Sequence, residues 1–241
     1  VRALPEGQAS AGAADWREET GVTCTEERFL SDVADHTLGI VYDDGTNRCI
    51  RFRASDTSNC WFEVVTWPGI LCINGDHGCY VFSRLSDMFK FFRHGEANGP
   101  GKPLYINDGY WAEKLVAASD RGGHGNDVRQ WSANSFRSRL EKRLTEHLKE
   151  AEDQEQEEWG PEQEDELRAA IEELADNAEE GEHEAIASAY RFKLHGLTFK
   201  DAYEWDCTEW NFHFIWCLYA IAWGIRKYDD IEALIAEGGE A

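Results

Sequence analysis

Carboxylates are the chemically active groups this sequence offers in quantity. Between Glu150 and Glu184, seventeen acidic residues stand against one basic residue, Arg168. On helices, the spacing of Glu155, Glu157, Glu158, Glu162, Glu164, Asp165, Glu166, Glu172, Glu173 and Asp176 can place carboxylates where phosphates would sit. Duplex DNA is a rod of regularly spaced negative charge, and proteins that act on it present basic channels to match. An ordered row of carboxylates can occupy such a channel. The same composition also suits a solvated helix or linker, since Glu forms helix well and keeps a chain soluble. A third reading is internal: part of the block can pair with the basic stretch Arg137–Lys149.

A second grouping is Trp67, Asp76, His77 and Trp111. Asp76-His77 lies in a Gly-flanked turn and offers an acid/base pair or metal ligands. A pocket around these four residues would belong to an enzyme acting on nucleotides or nucleic acid. Asn-Gly-Asp-x-Gly is equally what a tight hairpin requires. Arg48, Arg51, Arg53 and Lys90 with Trp61 and Trp67 make a basic, aromatic set of the kind that holds single strands. The charge of the whole chain opposes that reading. Cys207 and His213, six apart, fall on different faces of a helix. His36 and His124 have no zinc-ligand spacing around them. Arg121-Gly-Gly-His-Gly-Asn126 lacks the Lys-Ser/Thr grammar of a phosphate loop. No catalytic residue, metal or cofactor is assigned.

These residues need elements to hold them. Residues 1–22 are Gly/Ala/Glu-rich without periodicity and read as a loose N-terminal arm. A short helix is expected at Glu26–Asp35, capped by Thr23 or Thr25, with Phe29, Leu30 and Val33 inward. The period then becomes two: Leu38–Tyr42, Arg48–Arg53, Cys60–Thr66, Ile70–Ile73 and Cys79–Ser83 are five strands separated by turn signals. Pro68-Gly69 is the expected centre of a type II turn. In Arg48–Arg53, Arg51 and Arg53 share one face and Ile50 and Phe52 the other. Helices are expected at Met88–Arg93 and, capped by Asn107 or Asp108, through Tyr110, Trp111, Leu115 and Val116.

Ser132 or Ser135 opens a long polar helix with Phe136, Leu140, Leu144 and Leu148 at four-residue spacing. Pro161 suits the first position of a helix over Glu162–Glu180, whose thin apolar stripe is Leu167, Ile171 and Leu174. Thr208 or Asp206 would cap Trp210–Tyr228, a helix apolar nearly all round and so destined for a core. Ile231, Leu234 and Ile235 would add a final turn or two. The expected fold is α+β: a five-stranded antiparallel meander over residues 38–84, covered by helices, with an acidic helical insert at 150–184. The expected divisions are a mixed helix and antiparallel-sheet core at 23–120, a polar helical region at 121–194 and, at 195–241, an apolar C-terminal helix packed on the core.

Several segments together resemble an uncharacterised accessory-protein family of tailed bacteriophages and prophages. They are Phe29–His36, Trp61–Gly69, Gly75–Arg84, Asp87–Arg93, Gly109–Trp111 and Glu209–Tyr228. The resemblance implies a setting in the cytoplasm of an infected bacterium and a protein that interferes with a host system. It supplies no site residues.

Composition narrows the classes further. The chain has 241 residues, 42% hydrophobic, with ten Trp, and its formal net charge is −23. Such a polyanion is repelled by nucleic acid and anionic membrane, and attracted to basic protein surfaces. The longest apolar run, Phe214–Trp223, is too short to span a bilayer, and Val1–Gly21 shows no apolar signal region. Seven cysteines without C-x-x-C spacing read as free thiols. The leading expectation is a non-enzymatic protein that binds a basic, nucleic-acid-handling host factor through acidic DNA mimicry. The nucleotide-acting enzyme and a structural subunit that self-associates remain the alternatives, with the oligomeric state open.

Overall fold

The computed structural model describes residues 23–93, 101–119, 128–153 and 159–238. The fold is α+β, with seven α-helices among the described residues. Helix α1 (Glu26–Asp32) is capped by the Thr25 hydroxyl, which accepts from the Arg28 N–H. Strands β1 (Thr37–Asp44), β2 (Asn47–Arg53), β3 (Phe62–Trp67), β4 (Ile70–Gly75) and β5 (Gly78–Ser83) follow as an antiparallel meander. The hairpins are tight because the turn residues permit it. Gly69 takes φ 89° after Pro68, as the second centre of a type II turn requires, and Gly45 takes φ 66° between β1 and β2.

The sheet has a sixth strand, β6 (Leu115–Ser119), paired with β5 at the edge opposite β1. The expectation of a helix through Leu115 and Val116 is therefore corrected. After α2 (Met88–Phe92), helix α3 (Asp108–Ala112) opens on Asn107, whose side chain accepts from the Tyr110 N–H, and then stops. Beyond it the chain satisfies its backbone groups against β5 instead of continuing the helix.

Alternation fixes the two faces of the sheet. Ile50, Phe52, Phe62, Val64, Leu71, Ile73, Tyr80 and Phe82 are buried on one side, while Arg51, Glu63, Cys72 and Val81 lie half-buried or exposed on the other. The buried side is covered by α7 (Phe212–Gly238), which crosses the sheet diagonally. Phe214 meets Tyr80 and Phe82 on β5, Trp216 meets Phe62 on β3, and Trp223 meets Phe52 on β2. Near its far side the Tyr228 hydroxyl donates to Asp43 on β1. The cap of α7 is Asn211, whose side chain accepts from the Phe214 N–H at 2.7 Å, not Thr208 or Asp206. Thr208 instead lies in β10 (Thr208–Trp210), which pairs with β7 (Arg129–Trp131).

Between β7 and β10 the chain builds a second core. Helices α4 (Ala133–Asp153), α5 (Pro161–Asp176) and α6 (Glu182–Arg191) and the small hairpin β8 (Lys193–Leu194) and β9 (Leu197–Thr198) enclose it. Phe136, Leu140, Leu144 and Leu148 from α4 meet Leu167, Ile171 and Leu174 from α5, together with Phe199, Ala202 and Trp205. Residues 197–207 thus belong with this helical lobe and not with the C-terminal helix. The residues read as an N-terminal arm lie outside the described residues.

Candidate functional site: the outer face of helix α5

Local chemistry explains why the acidic stretch Pro161–Asp176 is helical. Gly160 is extended, Pro161 fills the first turn where no N–H is needed, and Glu162 and Glu164 sit at the positive end of the helix dipole. The stripe Leu167, Ile171, Leu174 is buried against α4, so tertiary packing holds the helix. That packing dictates where the charges point. Glu162, Asp165, Glu166, Glu172, Glu173 and Asp176 all lie on the opposite side and are exposed, while Glu164 is half-buried.

Internal partners reach only part of this face. Arg168 pairs with Glu164 at 2.6 Å within the helix, and His195 Nε2 approaches Glu166 at 2.7 Å. Arg137 of α4 reaches Asp176 at 3.6 Å and Glu179 at 3.2 Å. Three other α4 bases turn elsewhere: Arg143 to Glu146 and Asp201, Lys142 to Glu146, and Arg139 over the Trp205 ring. Among the described residues, Glu162, Asp165, Glu172 and Glu173 make no ion pair. Glu155, Glu157 and Glu158 lie outside the described residues.

The carboxylates most committed to internal partners lie off this face. Glu184 is held below the usual carboxylate range by the Ser188 hydroxyl and then by Arg191. Asp206 is lowered by Thr208, and Asp201 by its bond from Trp205. They hold the ends of the lobe's elements and leave the outer stripe to solvent.

The pairing of Asp176 and Glu179 with Arg137 follows the expected pairing of the block with the stretch Arg137–Lys149, whereas the partner of Glu166 was not legible in the sequence. His195 comes from a two-residue turn with Gly196, in which both φ values are positive (45° and 82°), the type I′ geometry that fixes a hairpin. The His-Gly pair between Leu194 and Leu197 is its only sequence signal. Arg137 reaches Asp176 because α4 and α5 pack side by side.

The second expected grouping does not converge. Trp67 and Asp76-His77 lie at opposite ends of β4, since Trp67 pairs with Ile70 and Phe62 with Gly75. Trp111 is fully buried in the sheet-side core against Phe92. His77 is buried with its ring 4.1 Å from that of Trp216. The basic, aromatic set is divided too. Arg48 is buried on the α7 side, and Arg51 pairs with Glu63 at 2.8 Å on the open side. Cys207 sits in the lobe core and His213 beside His77 at the start of α7. His36 Nε2 lies 3.0 Å from the Cys60 carbonyl, while His124 and the segment 121–126 lie outside the described residues. No disulfide links any of the seven cysteines.

Among the described residues no helix is long and apolar enough to cross a membrane. Comparisons with protein-family models, with curated proteins and with solved structures find no match to this chain.

Proposed function

We propose that this chain is a non-enzymatic binding protein whose acidic lobe occupies the basic, nucleic-acid-binding surface of another protein, of the class that handles or defends a bacterial host's nucleic acid. One observation carries the reading. The outer face of α5 holds six carboxylates, Glu162, Asp165, Glu166, Glu172, Glu173 and Asp176, in one rigid row, and four of them have no cation of their own among the described residues. At about 1.5 Å of rise per residue the row carries roughly one charge per 4 Å, close to the roughly 3.4 Å per charge along one DNA strand. A row held on a packed helix does not have to be ordered on binding, so complementarity costs little entropy.

The test is a charge-reversal series. Glu162→Lys, Asp165→Lys, Glu172→Lys and Glu173→Lys together change only exposed positions on a helix anchored from its other side. The unchanged protein, immobilised, is expected to capture a basic host protein that low salt retains and duplex DNA releases. The reversed protein is expected to keep its circular dichroism spectrum and lose that capture. Capture that survives reversal, or is indifferent to DNA, refutes the mimicry.

A further inference from the structure

Two thiols meet on the side of the sheet away from α7. Cys72 on β4 alternates with the buried Leu71 and Ile73, and Cys79 on β5 precedes the buried Tyr80, so both side chains leave the sheet on its open face, half-buried. Cys72 stands opposite Val81 and Cys79 opposite Asn74, which makes the two cysteines diagonal neighbours. Their sulfurs are 3.6 Å apart and share a hydrogen bond. The two-residue turn Asp76-His77, closed by the Gly75–Gly78 pair, joins their strands, so the ladder and not the thiols holds the sulfurs together. Groups held in contact in this way react without a search.

The surroundings decide what the pair can react with. The register places Tyr42, Cys49, Val65, Cys72, Val81 and Ala117 in one uncharged row from edge to edge of the open face. Cys49 is two strands from Cys72, about 9.6 Å, too far for a disulfide. The neighbouring row runs Arg51, Glu63, Asn74, Cys79 and Ser119, and its one cation, Arg51, is taken up by Glu63 at 2.8 Å. The Glu63 carboxylate and the chain's net charge of −23 repel an anionic oxidant such as glutathione disulfide. A small neutral oxidant meets no such barrier. Burial, and then Cys79 itself, pushes the Cys72 thiol up to about 12, so Cys72 keeps its proton and donates to the Cys79 sulfur.

We propose that Cys72 and Cys79 form a reversible oxidation site for small neutral peroxides, with Cys79 attacking and Cys72 resolving. The Cys79 sulfur, as thiolate, bonds to one peroxide oxygen as the O–O bond breaks; the other oxygen leaves as hydroxide and takes up the thiol's proton to become water. The Cys72 sulfur then bonds to the sulfur of the resulting sulfenic acid, the S–O bond breaks, and that oxygen leaves as water with the Cys72 proton. Two thiols and one hydrogen peroxide thus give one disulfide and two waters, the sulfurs losing the two electrons that the peroxide gains. Closing the sulfurs from 3.6 Å to about 2.05 Å falls to side-chain rotation and hairpin twist. On this solvent-facing side the disulfide stays open to a dithiol reductant, which reverses the step.

Peptide mapping of the full chain tests this. Reduced protein, freed of reductant, is treated with hydrogen peroxide at neutral pH, its remaining thiols are blocked, and the digest is read by mass spectrometry. The expected product has one link, Cys72 to Cys79, with two of the seven thiols lost and all seven restored by dithiothreitol. Glutathione disulfide at equal concentration is expected to form that link about tenfold more slowly or less. In Cys72→Ser the reaction is expected to stop at a sulfenic acid on Cys79, captured by dimedone, and in Cys79→Ser Cys72 is expected to remain a thiol at the same dose. Circular dichroism checks the fold of both variants, and the mapping of the unchanged chain needs neither. Peroxide that consumes other thiols while this pair stays reduced, a link to Cys49 or between chains, or faster linkage by glutathione disulfide overturns the proposal. A sulfenic acid on Cys72 in Cys79→Ser overturns the assignment of roles. None of these outcomes depends on the acidic face, and the reversal series reads that face alone.

Discussion

Arg48 is the residue on which three elements converge. Its side chain is 9% exposed, its guanidinium lies 4.5 Å from the centre of the Phe89 ring and 5.5 Å from that of Tyr228, and its Nη1 donates to Asp87 at 3.0 Å. Asp43 closes the group at 3.9 Å. Removing one member of a buried pair leaves the other charge desolvated, so Arg48→Ala should destabilise by about 3 kcal/mol, and Arg48→Ala with Asp87→Asn by less than the two separate losses combined. Urea unfolding of the four proteins in the cycle measures this. A second residue-scale expectation concerns alkali. Burial pushes the Cys60 and Cys72 thiols up to about 12, and burial also raises Tyr219 and Tyr228. Their folded-state values lie above those of the unfolded chain, so the folded state holds more protons in alkali. The stability they contribute is complete below about pH 8.5, the ordinary thiol value, and is lost as pH rises toward about 12. The urea midpoint should fall across that window, and Cys72→Ala should flatten the fall.

At the scale of elements, two glycines permit close approach, one between neighbouring strands and one between the sheet and its covering helix. A Cβ on Gly75 would stand 2.2 Å from the Trp61 carbonyl oxygen, and one on Gly224 would stand 3.1 Å from the Phe52 ring. Gly75→Ala meets backbone and must open the β3–β4 ladder, whereas Gly224→Ala meets a ring that can give slightly. The first should lower the melting temperature well beyond the second, as a thermal scan would register. Much of this layer was legible beforehand. Alternation, as in Ile50-Arg51-Phe52-Arg53, and turn signals such as Pro68-Gly69 gave five of the six strands to within two residues at each end, because local rules and the tertiary structure agree there. Phe136, Leu140, Leu144 and Leu148 gave α4 for the same reason. Strand β6 was not legible, since Leu115-Val-Ala-Ala following a capped helical turn has no local signal that favours pairing with β5 over helix. Asn211 was passed over as a cap because the β7–β10 pairing that frees Thr208 from that role is non-local. In the candidate site, the carboxylate positions could be read from spacing. The pairing with Arg137 was offered by the basic stretch Arg137–Lys149, while the contact of Glu166 with His195 depends on packing across the lobe, which spacing does not encode.

Over the whole molecule, charge and core are divided along the same line. The sheet with α7 has one core and the lobe another, and the chain passes between them at a single place. It leaves at Ser132 and returns at Cys207, where the Ser132 N–H donates to the Cys207 carbonyl at 2.9 Å and Trp131 pairs with Thr208. Ends this close can be joined by a two-residue turn. Replacing residues 133–206 by Asn-Gly should turn β7 and β10 into an ordinary hairpin and leave the sheet's own core intact. The excision removes 22 of the 47 acidic residues but only nine of the 24 basic ones. The shortened chain is expected to unfold cooperatively in urea, with a smaller m-value in proportion to the surface lost, and to capture no basic partner. An aggregated product, or one without a cooperative transition, would mean that the two cores fold as one unit and that the lobe is structural support for the sheet. Retained capture would move the recognition surface onto the sheet body. The excision therefore separates two roles for the same carboxylates that charge reversal alone would leave joined: keeping the molecule folded, and presenting a face to something else.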